Sequence, residues 1–334
     1  MAQRLNPSQQ RTDMSQTHRT VYITGGTGFL GRQIVSRAQA AGYTVLAPRS
    51  AEANLETNDG VDAFFERAAA AGTPVQAIIH SAAYYGGIGI NKHDPAGLIS
   101  RNTRMSTHLW EAAARHGVQK VVSVGSACGY PGHLTSVMTE ADFFNGRCHG
   151  SVEAYGFNKR IHCVFGAAYH RQHGIDFNQV ALTNIYGEHD VFQEYRSHVI
   201  SALIKKIADA KLGLIPKPTL WGSGTPLREF AHVSDAAAVI VDALHWQTDY
   251  DPINLDGEEI SIRGLAELIA ELVGYEGGID WDASQPDGVP RKCLSGEKLR
   301  SVVTYDYQPL SLRAGLRQTI DWYLANKDAA DARE

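Results

Sequence analysis

The chain has 334 residues, of which 43% are hydrophobic and 20% charged, and these proportions exclude both a disordered chain and a disulfide-stapled miniprotein. Its 31 lysines and arginines and 36 acidic residues give a net charge of -5 with no basic run, so neither nucleic-acid binding nor membrane-surface binding is expected. The four cysteines are too few and too scattered for a disulfide framework, which indicates a reducing, cytoplasmic environment.

The amino-terminal 18 residues are polar and differ from the rest of the chain. They contain no apolar stretch, so they predict a disordered leader rather than a signal peptide. No run elsewhere approaches the ~18 consecutive apolar residues of a membrane span. We therefore expect the ordered chain to begin near Arg19 and to have no membrane segment.

The first half of the chain alternates short apolar runs with helical stretches. The first helix presents Leu30, Ile34, Val35 and Ala38 at core-facing spacing. Short apolar strands separated by helices are typical of βαβ units, in which a parallel sheet is covered on both faces. The pattern predicts an α/β fold with a doubly wound sheet. The predicted strands are 21–24, 43–47, 75–80, 120–124 and 177–182.

After about residue 185 this alternation becomes less regular. A passage rich in proline and glycine covers 213–226, and a turn-rich segment covers 280–292. We expect a smaller mixed α/β unit here. The predicted helices are 199–210, 233–246, 262–274 and 310–326.

The turn after the first strand reads Gly25-x-x-Gly28-x-x-Gly31. Glycine at these positions permits a tight turn, lets the backbone approach a pyrophosphate and allows the helix to pack closely on the strand. The amides and the positive end of the following helix would then hold the phosphates. The alternative is an ordinary glycine-rich turn, but its position between a strand and a helix favours dinucleotide binding.

The end of the second strand indicates which nicotinamide cofactor is bound. NAD-binding sheets usually carry an acid there for the ribose 2′-hydroxyl, whereas this strand ends in Arg49 and Ser50. These side chains suit a 2′-phosphate, so NADP(H) is favoured. The alternative is that Arg49 is simply solvated.

Three further residues are suited to proton transfer at a carbonyl group. Ser126 follows the strand 120–124, and Tyr155 and Lys159 are one helical turn apart on the same face. A free tyrosine has a pKa near 10, and a nearby ammonium is expected to lower it by stabilising the phenolate. Ser126 would hydrogen-bond the carbonyl and hold it beside the tyrosine.

Several longer stretches resemble the extended short-chain dehydrogenase/reductases, and most specifically the GDP-L-fucose synthase family. The resemblance covers nearly the whole chain from Thr20. It implies an NADPH-dependent GDP-4-keto-6-deoxymannose 3,5-epimerase/4-reductase. The specific matching stretches are 86–88, 125–131, 184–190, 197–200, 221–230 and 286–292.

In that family a cysteine two positions after the serine and a histidine after the Asn-x-Tyr-Gly run perform the epimerisations. Cys128 and His189 occupy these positions. A C4 ketone acidifies the C–H bonds at C3 and C5, because either carbanion delocalises into an enolate whose oxygen Ser126 and Tyr155 would stabilise. A thiol and an imidazole have pKa values suited to removing and returning protons. The alternative for both residues is ordinary packing or surface exposure.

The resemblance also assigns binding roles. Thr27, Phe29, Leu30 and Ala82 join the three glycines and Lys159 around the cofactor, and Asn184, Trp221, Arg228 and Lys292 line the nucleotide-sugar side. Arg228 could clamp a diphosphate, or instead be a surface charge paired with Glu229. Trp221 could instead be a core aromatic.

The remaining cysteines and histidines carry no motif. We expect the cysteines to pack in the core, and no zinc-ligand spacing occurs, so no metal is predicted. These residues are Cys148, Cys163, Cys293, His80, His93 and His198.

The match is weaker at positions expected to flank the sugar. The family usually has a β-branched residue at Gly129 and a proline at Glu188, and Tyr84, Tyr85 and the segment 142–154 also depart from its pattern. The sugar, or even the nucleotide, could therefore differ from that of GDP-fucose synthesis.

The sequence thus predicts a Rossmann domain over 19–185 and mainly a nucleotide-sugar domain over 186–330, with some segments returning to the Rossmann core. The leading hypothesis is an epimerase/reductase, which the resemblance implies to be a homodimer through helices near 102–116 and 155–173. A 4-ketoreductase, a 4-epimerase that retains NAD+ and a non-catalytic NADP- or sugar-nucleotide-binding protein are the alternatives.

Overall fold

The computed structural model describes residues 19–86, 88–193, 197–285 and 287–333. The leader predicted over 1–18 lies outside these residues, as do Gly87 and Pro286 of two matching stretches. None of the helices in the described part of the chain is long and apolar enough to cross a membrane.

Thirteen strands occur within the described residues. They are β1 (Thr20–Thr24), β2 (Thr44–Leu46), β3 (Ala77–His80), β4 (Lys120–Ser126), β5 (Val137–Met138), β6 (Asp176–Leu182), β7 (Asn184–Tyr186), β8 (Thr219–Trp221), β9 (Leu227–His232), β10 (Ile253–Leu255), β11 (Glu258–Ser261), β12 (Asp280–Asp282) and β13 (Arg291–Leu294).

The same ranges contain eleven α-helices. They are α1 (Phe29–Ala40), α2 (Asn58–Ala70), α3 (Ile88–His93), α4 (Pro95–Arg115), α5 (Glu153–His173), α6 (Val199–Lys211), α7 (Val233–Asp242), α8 (Ile262–Val273), α9 (Glu297–Val302), α10 (Leu312–Ala325) and α11 (Lys327–Asp331).

Six parallel strands form the larger sheet, in the order β2-β1-β3-β4-β6-β10. The five strands predicted from the first half are all present, and the parallel α/β fold is confirmed. The sixth strand, β10, comes from the second half of the chain and pairs with β6. The winding reverses between β1 and β3, which is where open α/β sheets bind ligands beyond the carboxyl ends of their strands.

Helices cover both faces of this sheet. On one face α1 and α7 pack together, and Ile34 and Ala38 of the predicted apolar stripe are fully buried there. On the other face α2, α4 and α5 enclose a cluster that includes Trp110 and Phe65. The strands are apolar on both sides because neither face meets water.

The second half of the chain builds a smaller mixed sheet in the order β11-β9-β13-β5, with β7 also pairing with β9. A separate parallel pair joins β8 and β12. The helices α6, α8 and α10 surround a third buried cluster. Strands β8, β12 and β13 lie in or at the end of the two segments predicted as loops. They are only three or four residues long, too short for an alternating pattern to show.

Candidate active site

The glycine turn forms a close-fitting loop between β1 and α1. Gly25 has a φ of +68°, a left-handed conformation that glycine adopts without strain, and its carbonyl accepts a hydrogen bond from the N–H of Gly28 at 2.9 Å. A Cβ at Gly31 would lie 2.0 Å from the Gly25 carbonyl oxygen. The glycines therefore let the amino end of α1 pack closely against the turn after β1.

The residues around this loop define what a cofactor can touch. The Thr24 hydroxyl oxygen accepts hydrogen bonds from the N–H groups of Ser81 and Ala82, at 3.1 and 3.0 Å, which draws Ala82 against Gly25. The side chains of Phe29 and Leu30 are buried, so these residues present backbone rather than side chain. Thr27 is exposed at the mouth of the loop.

Arg49 and Ser50 lie exposed in the loop that follows β2. The nearest acid in sequence, Glu52, accepts a hydrogen bond from the backbone N–H of Arg49 at 2.8 Å. That carboxylate is engaged with the loop backbone, and the Arg49 side chain has no resolved partner in the described residues. An arginine and a hydroxyl in this position could hold a 2′-phosphate.

Ser126, Tyr155 and Lys159 lie where β4 ends against α5. Tyr155 is half-buried in the first turn of α5, and Lys159, which is 4% exposed, lies one turn further on. The Lys159 ammonium donates to the Val124 carbonyl at 2.8 Å and lies 5.3 Å from the centre of the Tyr155 ring. The structure thus brings the tyrosine and lysine together beside the strand that carries the serine.

Burial is the largest influence on the pKa values of both Lys159 and Tyr155. It lowers the pKa of Lys159 to about 8, although the nearby Cys128 opposes the shift. Burial raises the pKa of Tyr155 above its usual value, and the charge of Cys128 raises it further. The expected net lowering of the Tyr155 pKa is therefore not found in the protein alone, where burial prevails, and Tyr155 keeps its proton at neutral pH.

Cys128 lies in the turn Ala127–Gly129, immediately after β4. Its N–H donates to the Ser126 hydroxyl oxygen at 3.1 Å, and the Lys292 ammonium donates to its sulfur at 3.5 Å. Burial alone would raise the pKa of the thiol, but the charge of Lys292, hydrogen bonds from Ser126 and Lys292, and the charge of Lys159 lower it overall.

The other three thiols have the opposite character. All are buried, and burial raises their pKa values, that of Cys293 to about 12. Cys128 is the one cysteine of the described residues whose pKa is lowered, and this favours the thiolate, the form that acts as a base.

Lys292 and Arg228 are side by side, because they pair in register on the parallel strands β13 and β9. The Arg228 guanidinium donates to the Leu227 carbonyl at 2.7 Å. It makes no ion pair with Glu229, whose carboxylate accepts from the N–H of Leu294 at 2.9 Å. The alternative of an Arg228–Glu229 surface pair is therefore wrong, and Arg228 keeps its charge for an anion.

Trp221 and Asn184 are on the same half of the molecule. Trp221 is 72% exposed, which excludes the alternative that it is a core aromatic. The Asn184 side chain is exposed and its amide donates to the Glu229 carbonyl at 2.9 Å. Both side chains are available to a ligand.

Comparison with known proteins is consistent with this geometry. The model of the NAD dependent epimerase/dehydratase family matches residues 21–255. The chain belongs to this family. It is 36% identical to GDP-L-fucose synthase 1 of Arabidopsis thaliana, over 94% of this chain and 96% of that protein, and 35% identical to GDP-L-fucose synthase of Escherichia coli, over 92% and 97%. The resemblance seen in the sequence is confirmed.

A solved structure resembles the whole molecule. The crystal structure of a GDP-L-fucose synthetase from Naegleria fowleri bound to NADP superposes with a TM-score of 0.83 and 25% identity, covering 95% of this chain and 97% of that one. The fold of the epimerase/dehydratase family therefore extends over both halves of the chain.

His189, which the sequence resemblance assigns to epimerisation, packs against α10. Its ring packs edge-on against Trp322, with the ring centres 4.6 Å apart, and its carbonyl accepts a hydrogen bond from Arg333. Burial lowers its pKa, as do the charges of Arg32 and Arg333, while Glu188 opposes them. Cys128 is not among the groups that act on it.

His198, rather than His189, lies beside a buried carboxylate and close enough to Cys128 for the thiol to affect its pKa. Its Nδ1 lies 3.4 Å from both carboxylate oxygens of Asp190, and its ring is parallel to that of Tyr85 at 6.5 Å between centres. Burial opposes its protonation, but Asp190 and then Cys128 raise its pKa overall. The sequence contained one signal for it: the run 197–200 is among the specific matching stretches, yet position relative to the Asn-x-Tyr-Gly run favoured His189.

Proposed function

We propose that this protein is an NADPH-dependent epimerase/reductase that acts on a GDP-bound 4-keto-6-deoxysugar. One observation carries the proposal: the Cys128 thiol contacts the Lys292 ammonium beside the Ser126, Tyr155 and Lys159 set. A reductase needs only the latter three residues. A thiol with a lowered pKa next to them supplies the base that epimerisation requires.

The two halves of the chain would bind the two ligands. The glycine loop and Ala82 would hold the pyrophosphate of NADP(H), and Arg49 with Ser50 would hold its 2′-phosphate. When bound, NADPH supplies hydride to C4 of the sugar. On the other side, Arg228 would clamp the GDP diphosphate, Trp221 would stack on the base and Asn184 would approach the hexose.

Epimerisation would begin with proton removal. The Cys128 thiolate takes the proton from C3 or C5, and the electron pair moves into the enolate, whose oxygen accepts hydrogen bonds from the hydroxyls of Ser126 and Tyr155. A protonated imidazole then returns a proton to the opposite face of that carbon. Solvent removes the thiol proton and restores the imidazolium, so each cycle introduces one solvent hydrogen.

His198 is better placed than His189 to donate that proton. A buried carboxylate beside its ring raises the pKa of His198 and favours the imidazolium, whereas the surroundings of His189 lower its pKa and favour the neutral ring. The thiol whose pKa is lowered and the histidine whose pKa is raised would then act as base and acid. We assign the acid role to His198 in place of His189.

Reduction would follow in the same pocket. As hydride reaches C4, the Tyr155 phenol donates its proton to the C4 oxygen, and the ketone becomes an alcohol. The raised pKa of Tyr155 keeps this proton in place until the oxygen becomes basic. The Lys159 ammonium beside the ring then stabilises the phenolate that remains.

The experiment that tests the proposal measures proton exchange with solvent and hydride transfer from NADPH separately. The protein is incubated in D2O with NADPH and a panel of nucleotide-4-keto-6-deoxysugars, while NADPH loss and deuterium at C3 and C5 are measured by NMR. We expect NADPH loss together with deuterium at one or both carbons. In Cys128→Ser, exchange should fall by at least about a hundredfold while reduction of the C4 ketone persists.

Other outcomes would favour the alternatives. Reduction without deuterium at either carbon indicates a 4-ketoreductase. Purified protein that carries tightly bound, recycling NAD+ indicates a 4-epimerase. NADPH binding without turnover of any sugar indicates a non-catalytic binding protein.

We also propose that the protein is a homodimer in the cytoplasm. The helices α4 and α5 pack side by side, and α5 presents the apolar side chains of Phe157 and Val164 to solvent, at 54% and 58% exposure. These two residues are seven apart and share one helix face. An active thiol also requires a reducing compartment.

A further inference from the structure

The turn between β7 and α6 carries strain next to the proposed active site. His189 has a φ of +68°, the one left-handed non-glycine residue in the described part of the chain. Such a conformation is unfavourable outside glycine and persists only where surrounding contacts hold it. Here Trp322 packs on the ring and Arg333 holds the carbonyl oxygen.

The turn directs the next residue, Asp190, into the protein. Its side chain is 1% exposed. One carboxylate oxygen accepts the Ser201 hydroxyl at 2.5 Å, the other accepts the N–H of Val191 at 2.8 Å, and both lie 3.4 Å from Nδ1 of His198. Within the described residues no lysine or arginine forms an ion pair with it, so the His198 ring is the one basic side chain in contact with this carboxylate.

The groups that face His198 come from three elements. Asp190 lies on the preceding turn, Cys128 lies on the turn after β4, and the ring of Tyr85 covers the imidazole from the loop after β3. Arg333, from the carboxyl terminus, acts on Asp190 rather than contacting the ring. A buried carboxylate against Nδ1 fixes the ring orientation and leaves Nε2 free for another partner.

We propose that Asp190 is a positioning residue for epimerisation, which holds Nδ1–H of His198 so that Nε2 delivers the proton to the sugar ring. His189 serves this arrangement through its backbone, by turning Asp190 inward. The inference rests on the proposed function, in which His198 is the acid. It goes beyond it by assigning a role to a residue that contacts neither ligand.

The test compares Asp190→Asn with Asp209→Asn, a matched control in which the altered buried aspartate lies on α6 and pairs with Lys205 and Lys327. The His198 imidazole is titrated by NMR in the free protein, with its signal assigned from His198→Asn. We expect Asp190→Asn to move the His198 titration to lower pH and Asp209→Asn to leave it unchanged.

Exchange and reduction are then measured on the accepted sugar. For Asp190→Asn we expect exchange at C3 and C5 to slow by at least about tenfold, through kcat rather than KM, with its pH optimum moved toward acid. C4 reduction of an already epimerised sugar should persist. If Asp190→Asn does not fold, Asp190→Glu, which keeps the charge but shifts the carboxylate, should slow exchange while the His198 titration stays near its wild-type value.

The outcomes separate the two proposals. An unchanged His198 titration in Asp190→Asn overturns the positioning role, whatever the activity. A shifted titration with undiminished exchange shows that His198 is not the acid, and both the acid assignment and the positioning role then fail. Wild-type exchange in Asp190→Glu likewise overturns the positioning role.

Discussion

The thiol of Cys128 lies among positive charges, whereas the imidazole of His198 lies against a negative one. Lys292 and Lys159 act on the thiol and Asp190 acts on the imidazole, so the two pKa values move toward each other. The closer the pKa values of a base and an acid are, the less free energy it costs for them to exchange roles between turnovers. This suits an enzyme that inverts two carbons with one pair of side chains.

Lys292 is predicted to control the reactivity of the thiol. In Lys292→Met the charge and the hydrogen bond to sulfur are lost, so burial prevails and the pKa of Cys128 rises. We expect alkylation of Cys128 by iodoacetamide at pH 7 to slow, because the thiolate fraction falls by up to about tenfold for each unit of pKa increase. The pH dependence of the rate is followed by mass spectrometry of the Cys128 peptide.

Lys292→Arg is the matched variant, because it keeps a cation beside the sulfur and should retain most of the alkylation rate. The three buried cysteines serve as internal references for unfolding. Alkylation of Cys128 with the same pH profile in Lys292→Met and wild type would show that the ammonium does not tune the thiol.

Four single residues that depart from the family pattern can be compared in the structure. Three of them have contacts within the protein that account for the change, and the fourth faces the proposed site. A Cβ at Gly129 would lie 2.5 Å from the Phe143 ring, so the glycine makes room for this protein's own aromatic side chain. Glu188 lies 3.5 Å from Nε2 of His232, and the Tyr84 hydroxyl donates to Asp94 at 3.1 Å. Tyr85, stacked on His198, is therefore the departure that bears most directly on the sugar.

At the scale of elements, the catalytic groups meet because α5 approaches the Cys128 turn very closely. Gly156, the residue after Tyr155, makes this possible, since a Cβ there would lie 2.2 Å from the Cys128 carbonyl oxygen and 2.9 Å from the Cys148 sulfur. Backbone cannot yield as a flexible side chain can. A larger residue would have to move the helix or the turn.

Gly156→Ala is therefore predicted to separate Tyr155 from Cys128. A displacement of about 1 Å in a catalytic site can cost on the order of a hundredfold in rate, and overpacking costs about 1–3 kcal/mol of stability. We expect both exchange and reduction to fall, measured beside urea unfolding. Gly150→Ala is the control, because nothing lies within 4 Å of its added Cβ; equal rates in the two variants would contradict the close-packing role.

Sequence patterns predicted the elements that are long or regular. The glycine turn, the parallel strands and the Tyr155–Lys159 pair depend on local spacing, which can be read directly from the sequence. The contact of Lys292 with Cys128 spans 164 positions and depends on β13 pairing with β9, so no local pattern contains it. The distinction between His189 and His198 depends on the left-handed backbone conformation of His189, which the residue type at that position does not predict.

At the scale of the whole molecule, two parts of the chain that are distant in sequence pair with each other in both sheets. β10 returns from the second half to extend the Rossmann sheet, while β13 pairs in parallel with both β9 and the short strand β5 from the first half. Each of the two sheets thereby contains at least one strand from the other half of the chain. Lys292 reaches the thiol from a strand whose position depends on its pairing with β5 in the other half of the chain.

The apolar face of α5 leads to a prediction about assembly. Phe157 and Val164 are exposed on the helix that carries Tyr155 and Lys159, and an exposed apolar face on a central helix favours association with a second copy. We expect the wild-type protein to sediment as a dimer in analytical ultracentrifugation. Phe157→Glu with Val164→Glu should sediment as a monomer, because a dimer would have to bury four unpaired carboxylates.

Leu212→Glu is the matched control, since Leu212 is equally exposed, at 54%, but lies at the carboxyl end of α6. It should remain a dimer. The monomeric variant should also lose activity, because the dimer would hold the outer face of the helix whose inner face positions Tyr155. A wild-type protein that sediments as a monomer at micromolar concentration would contradict this assembly, and a dimeric double variant would place the interface elsewhere.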